Sequence, residues 1–244
     1  MANRIVRTIR SVCGTVPTMP ADLLSKARLR LFALPVALIV LVGLAQASAA
    51  GTSTRLPRFR SEIQSLPAPL KTGLKRHLWH RGCPTPLSQL RLLSVDYVGF
   101  DRDVHHGELV VNADAAVPLR SVFGRLYRLH FRIREMRPLD DSGDDTAAFE
   151  CRDAASSPCP GTPPTHTWSE HAYGEAVDLN PIENPYTGCR RTRVKASIPY
   201  LNRSRRRPGM VNGRVIRAFA SIGWGWGGSW IGTKDYMHFS ATGH

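Results

Sequence analysis

Several signatures are missing from this sequence, and each absence removes a class of protein. No stretch recurs at a fixed period, so a solenoid or a propeller is excluded. No Cys-x-x-Cys pair occurs, which argues against a thiolate zinc site. The helical His-Glu-x-x-His signature of the common zinc peptidases is absent as well. No clean run reaches the roughly 20 apolar residues that a spanning helix needs. There is no stacking motif, zinc finger or helix-turn-helix signal to support a nucleic-acid binder.

What is present points to an exported globular protein. The chain has 244 residues, 42% of them hydrophobic, which is enough for a real core. Lys26, Arg28 and Arg30 precede an uncharged stretch, residues 31–44, that carries Pro35 and is followed by Ala47-Ser48-Ala49. A basic flank, a short apolar run and a small-x-small ending read as a secretory leader. Residues 1–50 are therefore expected to be a presequence, with Met19 as the start and a retained signal anchor as the alternative to cleavage. No cysteine follows the apolar run, so a lipid anchor there is not expected, nor is stable membrane insertion once the leader is removed. The whole chain carries +14; residues 1–50 hold six of its 33 basic and one of its 19 acidic residues, leaving +9 on the remainder. Such a protein meets anionic surfaces, among them wall polymers, and export argues against nucleic acid as the partner.

Cys13 falls in the presequence. Cys83, Cys151, Cys159 and Cys189 remain, and in an oxidising compartment four cysteines suggest two disulfides with three connectivities open.

Residues 51–60 read as a loose, basic segment. A helix is expected within residues 61–79, interrupted early by Pro67 and Pro69, with Leu70, Leu74 and Leu78 on one face. Residues 92–100 and 108–112 read as strands of a hairpin, with His105, His106 and Gly107 as the turn. A long helix follows over residues 114–130, its stripe formed by Val122, Phe123, Leu126 and Leu129. Residues 131–136 read as a strand. Asp140, Asp141, Asp144 and Asp145 make a solvated acidic turn, and residues 158–164 a proline-rich loop. A short strand spans 175–179, and a basic loop 203–207. Val215, Ile216, Phe219 and Ile222 mark a last helix stopped at Gly223, and a final strand covers 237–240. Strands and helices mix without regular alternation. The expected class is α+β, a small antiparallel sheet flanked by helices, in one domain over about 55–244.

The chemistry concentrates in SEHAYGEAVDLNP, residues 169–181, and DYMHF, residues 235–239. On a continuous helix His171 and Asp178 would stand two turns apart, too far for one ion. A turn at Gly174 lets them converge. In an extended segment Asp235 and His238 face opposite ways, whereas a bend at Tyr236 or Met237 brings Asp235 to the same site. Two histidines and one aspartate fill the protein quota of a catalytic zinc, which keeps one place open. A further acid is then needed to move the proton of the attacking water, and Asp235 suits that task.

These residues, with GWGWGGSW at 223–230, closely resemble the D-alanyl-D-alanine carboxypeptidase-like zinc peptidases, a group that includes the VanY and VanX types and the L-alanoyl-D-glutamate endopeptidases. The family pattern is Ser-x-His-x-x-Gly-x-Ala-x-Asp, then an acid three residues before a final histidine. Ser169, His171, Gly174, Ala176, Asp178, Asp235 and His238 match it position by position. WHRGCPTPLSQLRLL, HGELVVN and AAFECR extend the likeness to residues 75–240. The resemblance implies a single zinc-peptidase domain that hydrolyses peptidoglycan stem peptides, with Zn2+ on His171, Asp178 and His238 and with Asp235 as general base. It also implies an upstream arginine, for which Arg152 is the candidate. Ser169 is either a substrate contact or a turn-capping serine. Tyr173 and Trp226 are assigned to the substrate groove, with packing as the alternative for each. Cys83 with Cys151 and Cys159 with Cys189 is the expected pairing. A non-catalytic, zinc-containing wall-binding module is the competing function.

Overall fold

The structure, a computed structural model, describes residues 56–139 and 143–244. Residues 1–50, the expected presequence, with Met19 and Cys13 within them, and Asp140 and Asp141 lie outside the described residues. Among the described residues no helix is long and apolar enough to cross a membrane.

Three strands form the first sheet, in the order β1-β2-β3: Ser61–Ser65 (β1), Leu90–Val98 (β2) and Val104–Asn112 (β3), all antiparallel. Alternation along β2 and β3 sends side chains to two opposite faces, and both are covered. Leu93, Val95, Leu109 and Val111 join the core cluster that holds Val122, Phe123 and Leu126 of helix α2 (Ala113–Arg128). Leu90, Leu92 and Val110 join a second cluster with Leu74 of helix α1 (Ala68–His77), where Leu70 and Leu78 also pack, half-buried. Asn112 caps α2 through its side chain, which accepts from Asp114 N at 3.2 Å.

The second part of the fold is assembled from very short pieces. Helix α3 is the single turn Glu170–Tyr173. Strands β4 (Ala176–Asp178), β8 (His238–Ser240) and β6 (Gly225–Trp226) make a sheet in the order β4-β8-β6, and β5 (Tyr186–Thr187) pairs with β7 (Lys234–Asp235). Helix α4 (Gly213–Ala220) is capped by the Asn212 side chain, and its Val215 and Phe219 enter the first core cluster. There Phe219 stacks on Phe239 of β8 with ring centroids 3.9 Å apart. The class is α+β with small antiparallel sheets.

Several expectations need correction. Residues 61–65 are strand β1 rather than helix, because they find an exposed edge of β2 to pair with and Pro67 then starts α1 afresh. His105, His106 and Gly107 lie inside β3; the chain turns instead at residues 99–103, where Arg102 takes a positive φ of 79°. Residues 131–136 form no strand, only isolated bridges at Arg132 and Met136. Leu129 is exposed, as it follows the last turn of α2 and leaves the stripe. Asp145 is buried and paired with Arg137 rather than solvated. The segment before β1 is tied down: Tyr127 donates to Pro57 O at 2.9 Å and Phe59 packs on the core. Arg203, expected in a solvated loop, donates to Glu183 O at 2.8 Å and Asn184 Oδ1 at 3.0 Å. Both expected disulfides are present, Cys83–Cys151 and Cys159–Cys189.

Candidate functional site

Ser169 caps α3, its hydroxyl oxygen accepting from His171 N at 3.4 Å, so the first turn of this short helix carries His171. Gly174 ends the helix in the left-handed region, at φ 70°. It also lies against β3, where a Cβ would meet Asn112 N at 2.7 Å, and its carbonyl accepts from that same N–H at 2.8 Å. Only glycine meets both demands. The chain reverses there into β4, and Asp178 comes back beside His171. In the sheet Asp178 stands directly opposite His238 of β8. Asp235 belongs to the other ribbon, opposite Tyr186, and the bend over Tyr236 and Met237 carries the chain from one ribbon to the next.

Three side chains converge as a result. His171 Nε2 is 3.2 Å from His238 Nδ1 and 3.2 Å from Asp178 Oδ2, and His238 Nδ1 is 3.2 Å from Asp178 Oδ1. Each imidazole is oriented by a main-chain oxygen on its far side. His171 Nδ1 faces Ala148 O, and His238 Nε2 faces His244 O at 3.0 Å. A carbonyl oxygen only accepts, so those ring nitrogens hold the protons and the converging nitrogens keep their lone pairs. Three acceptors in mutual contact cannot satisfy one another; a cation among them can. Donors about 2.0–2.1 Å from a tetrahedral zinc stand roughly 3.3 Å apart, close to the spacing here. Two buried imidazoles and a carboxylate therefore fit a zinc-type ion, and they are the group of metal-capable side chains found among the described residues.

The carboxylates are set apart by their surroundings. Burial would push Asp178 up, but the positive charge and hydrogen bonds of His171 and His238, when these imidazoles carry a second proton, hold it far below the ordinary range. Asp235 is pushed up to about 7, by burial first and by the nearby Asp178 charge second, with His238 and Arg152 opposing. Its Oδ1 is buried without a hydrogen-bond partner. One acid held ionised beside another kept near neutrality is the pattern of a ligand next to a proton carrier.

The site opens into a cleft with two lobes. One, of about 460 Å³, runs past Arg137, Phe149 and Glu150; the other, of about 350 Å³, runs past Trp168, Tyr186, Trp230 and Asp235. Arg152, His171 and Asp178 line both. Arg152 is held by Glu150 Oε2 and by Asp153 O. Burial would lower its pKa, but the Glu150 charge and hydrogen bond raise it above the usual value.

Of the residues singled out from the sequence, His171, Asp178, His238, Asp235, Arg152 and Ser169 meet in this cleft. Two do not. Tyr173 ends α3 on the exposed side and lines neither lobe; its carbonyl accepts from Asn112 Nδ2 at 3.0 Å, a tie to the scaffold. Trp226 packs on Phe239 and donates to Tyr236 O at 3.0 Å, so its indole is turned into the fold. Trp230 takes the place at the wall, its ring 5.5 Å from that of His238. Tyr186 and Glu150 were missed. An acid two positions before the candidate arginine is a signal that could have found Glu150; Tyr186 had none, since only strand pairing brings it opposite Asp235.

A cluster able to hold a metal ion, beside a buried acid in an open cleft with an anchored arginine, suits hydrolytic chemistry. Residues 163–241 match a peptidase family described as D-alanyl-D-alanine carboxypeptidase. The match contains His171, Asp178, Asp235 and His238, and over it the resemblance drawn from the motifs holds. No curated protein and no solved structure matches the chain.

Proposed function

We propose that residues 55–244 form a zinc peptidase domain that hydrolyses peptidoglycan stem peptides outside the cytoplasm. The observation that carries this is the meeting of His171 Nε2, Asp178 and His238 Nδ1 at 3.2 Å, with Asp235 in the same lobe. Two disulfides support an oxidising compartment. His171, Asp178 and His238 would hold the ion. When bound, it supplies a Lewis acid that polarises the scissile carbonyl and makes water a competent nucleophile near neutral pH. Asp235 takes the proton of the attacking water and delivers it to the leaving amine, a task suited to a carboxyl that exchanges protons near neutrality. Arg152, steadied by Glu150, donates to the carbonyl oxygen as negative charge develops there. Ser169 acts through its cap, holding the turn that aims His171. Trp230 and Tyr186 wall the peptide.

The two lobes favour an internal bond over a terminal one. Each is larger than one alanine needs, and the ligand cluster lies between them, so peptide extends to both sides of the cut. L-alanoyl-D-glutamate endopeptidase activity is thus preferred to D-alanyl-D-alanine carboxypeptidase activity.

The test is incubation of the protein with a pentapeptide stem and with intact wall, read by mass spectrometry, with and without a chelator. The expected product is a break after the first alanine that stops on chelation and returns with Zn2+. Loss of only the terminal alanine reassigns the enzyme as a carboxypeptidase. No cleavage of either substrate with zinc restored makes a metal-containing wall-binding module the better account.

A further inference from the structure

Away from the cleft, two adjoining concavities are lined by arginine and by no carboxylate. One, of about 380 Å³, lies between the end of α2 and helix α4 and is lined by Arg125, Arg128, Arg214 and Arg217 together with Leu129 and Ala218. The other, of about 260 Å³, shares Leu129 and Arg214 with it and adds Arg132 and Arg207. Arg132 donates to Phe100 O at 3.4 Å and Arg207 lies over the Tyr200 ring. Arg125, Arg128, Arg214 and Arg217 are exposed, and none forms an ion pair with a described residue.

Fold stability accounts for only part of this cluster. Arg125 and Arg128 lie in the last turn of α2 and Arg217 in the last turn of α4, where a cation complements the helix dipole. Arg214 does the opposite. It stands in the first turn of α4, where the dipole disfavours a cation, and that turn holds no acid. Like charges are gathered here at a cost to the fold, which points to a ligand that neutralises them.

We propose that this face binds a linear polyanion bearing repeated phosphodiester groups, of the kind that accompanies peptidoglycan in a bacterial wall. The setting rests on the proposed function; the binding does not. Guanidinium forks take phosphate oxygens in pairs, and two adjoining hollows offer successive seats to a repeating chain. A bilayer is the poorer fit, because Leu129 is the sole exposed large apolar side chain at the face and no tryptophan rims it. Nucleic acid is poorer too, since no exposed Phe, Tyr or Trp lines the face and His130 is the single exposed ring among its lining residues, too few to stack successive bases. The face shares no lining residue with the cleft. It serves as a second foothold that holds the enzyme on its polymer while the cleft works.

The experiment uses the full chain and fluorescent poly(glycerol phosphate), titrated at two salt concentrations. Arg125→Gln, Arg128→Gln, Arg214→Gln and Arg217→Gln are combined in one variant. A control variant removes four basic side chains elsewhere, Lys71→Gln, Lys75→Gln, Arg76→Gln and Arg81→Gln, for the same change in charge. The α2–α4 variant should bind about 10-fold or more weakly, the control far less so, and the wild-type affinity should fall with salt. Arg214→Gln alone, the mildest change to the fold, should weaken binding measurably with an unchanged melting temperature. Equal weakening by both fourfold variants overturns the proposal in favour of net charge alone. Tighter wild-type binding, at matched phosphate, to phosphatidylglycerol vesicles or to duplex DNA overturns it in favour of those partners. Binding is read without turnover, so failure of the peptidase assignment leaves this result standing.

Discussion

Around α2, long strands and a four-turn helix bury Leu93, Val95, Leu109, Val111, Val122 and Phe123 in one apolar cluster. Around the ligand cluster no strand exceeds three residues; Val177, Leu179 and Phe239 reach the same apolar cluster, and buried side-chain amides hold the turns between the short strands. Asn180, at a positive φ of 50°, donates to Arg132 O and Gly209 O and accepts from Arg134 N. Asn184 donates to Leu179 O and Gly209 O and accepts from Val211 N. The difference has a physical origin. His171 stands on a single helical turn and Asp178, Asp235 and His238 on ladders of two or three residues, so the many turns between these pieces leave backbone groups outside any ladder. Buried amides satisfy them one by one. The scaffold is held by area; the site region shares the edge of that core and is held in addition by hydrogen bonds from buried amides.

The sharpest test of that contrast separates activity from stability. Asp235→Asn should lower peptidase turnover by about 10²- to 10⁴-fold and leave the melting temperature unchanged or higher, since a buried carboxylate oxygen without a partner contributes no stability. Circular dichroism melts beside the mass-spectrometric assay read both. A large loss of stability in this variant would mean that Asp235 holds the fold and would remove its claim to a chemical role.

Phe123→Ala should do the reverse. Its ring is almost wholly buried at the centre of the scaffold cluster, and truncation should cost about 3–5 kcal/mol, measured by denaturant titration. Turnover per folded molecule should be retained. If turnover falls in step, the two regions are mechanically one and the contrast fails.

The same contrast explains what could be read from the sequence. Helix α2, strand β2 and the apolar half of β3 were legible because apolar periodicity is the cause of their structure, whereas the polar start of β3 at His105 and His106 read as a turn. His171, Asp178, Asp235 and His238 were legible because their types and spacing answer a chemical need, and Gly174 announced the turn that unites them. Strand β1 was misread because Ser61–Ser65 acquires its conformation only by pairing with β2. Whether Trp226 or Trp230 faces the cleft depends on the register of strands two or three residues long, and composition says nothing about that. Asn180, Glu183 and Asn184, all fully buried, carry no signal in the sequence, because the asparagines bind backbone groups such as Gly209 O and Val211 N, and Glu183 the Arg134 guanidinium, all distant along the chain.

Asn184→Leu puts the site region to its own test. Leucine keeps the volume and adds apolar contact, so an apolar account forecasts little change. The amide makes bonds of 2.9 Å to Leu179 O and Gly209 O and receives Val211 N at 2.7 Å and Arg203 Nη2 at 3.0 Å. Leaving buried partners unmet costs about 1–3 kcal/mol each, and some of these carbonyls keep a second donor, so a net loss of about 2–3 kcal/mol is expected. Hydrogen exchange should rise at Val211 first. A neutral substitution would show that packing holds this region as well.

The smallest effect tests an exception inside the scaffold. Asp96 of β2 is a buried carboxylate that accepts from Arg60 N at 2.9 Å, Arg60 Nε at 3.1 Å and His106 Nδ1 at 3.1 Å. Burial pushes its pKa up, but the hydrogen bonds from Arg60 and His106 outweigh that and hold it below the ordinary aspartate value. A carboxylate with a depressed folded pKa binds fewer protons in the folded state than in the unfolded one just below the unfolded pKa. Its stabilisation is therefore complete above that pKa, about 3.9, and is lost as pH falls through the folded value. The Arg60 side chain is largely exposed, so solvent screens the pair and the contribution is modest. Wild type and Asp96→Asn, compared by urea titration, should differ by a constant amount at pH 5–6 and converge as the pH is taken below about 3. A difference that persists unchanged in acid would assign the effect to the neutral hydrogen bonds of the site rather than to its charge, and the scaffold would lose this electrostatic clasp.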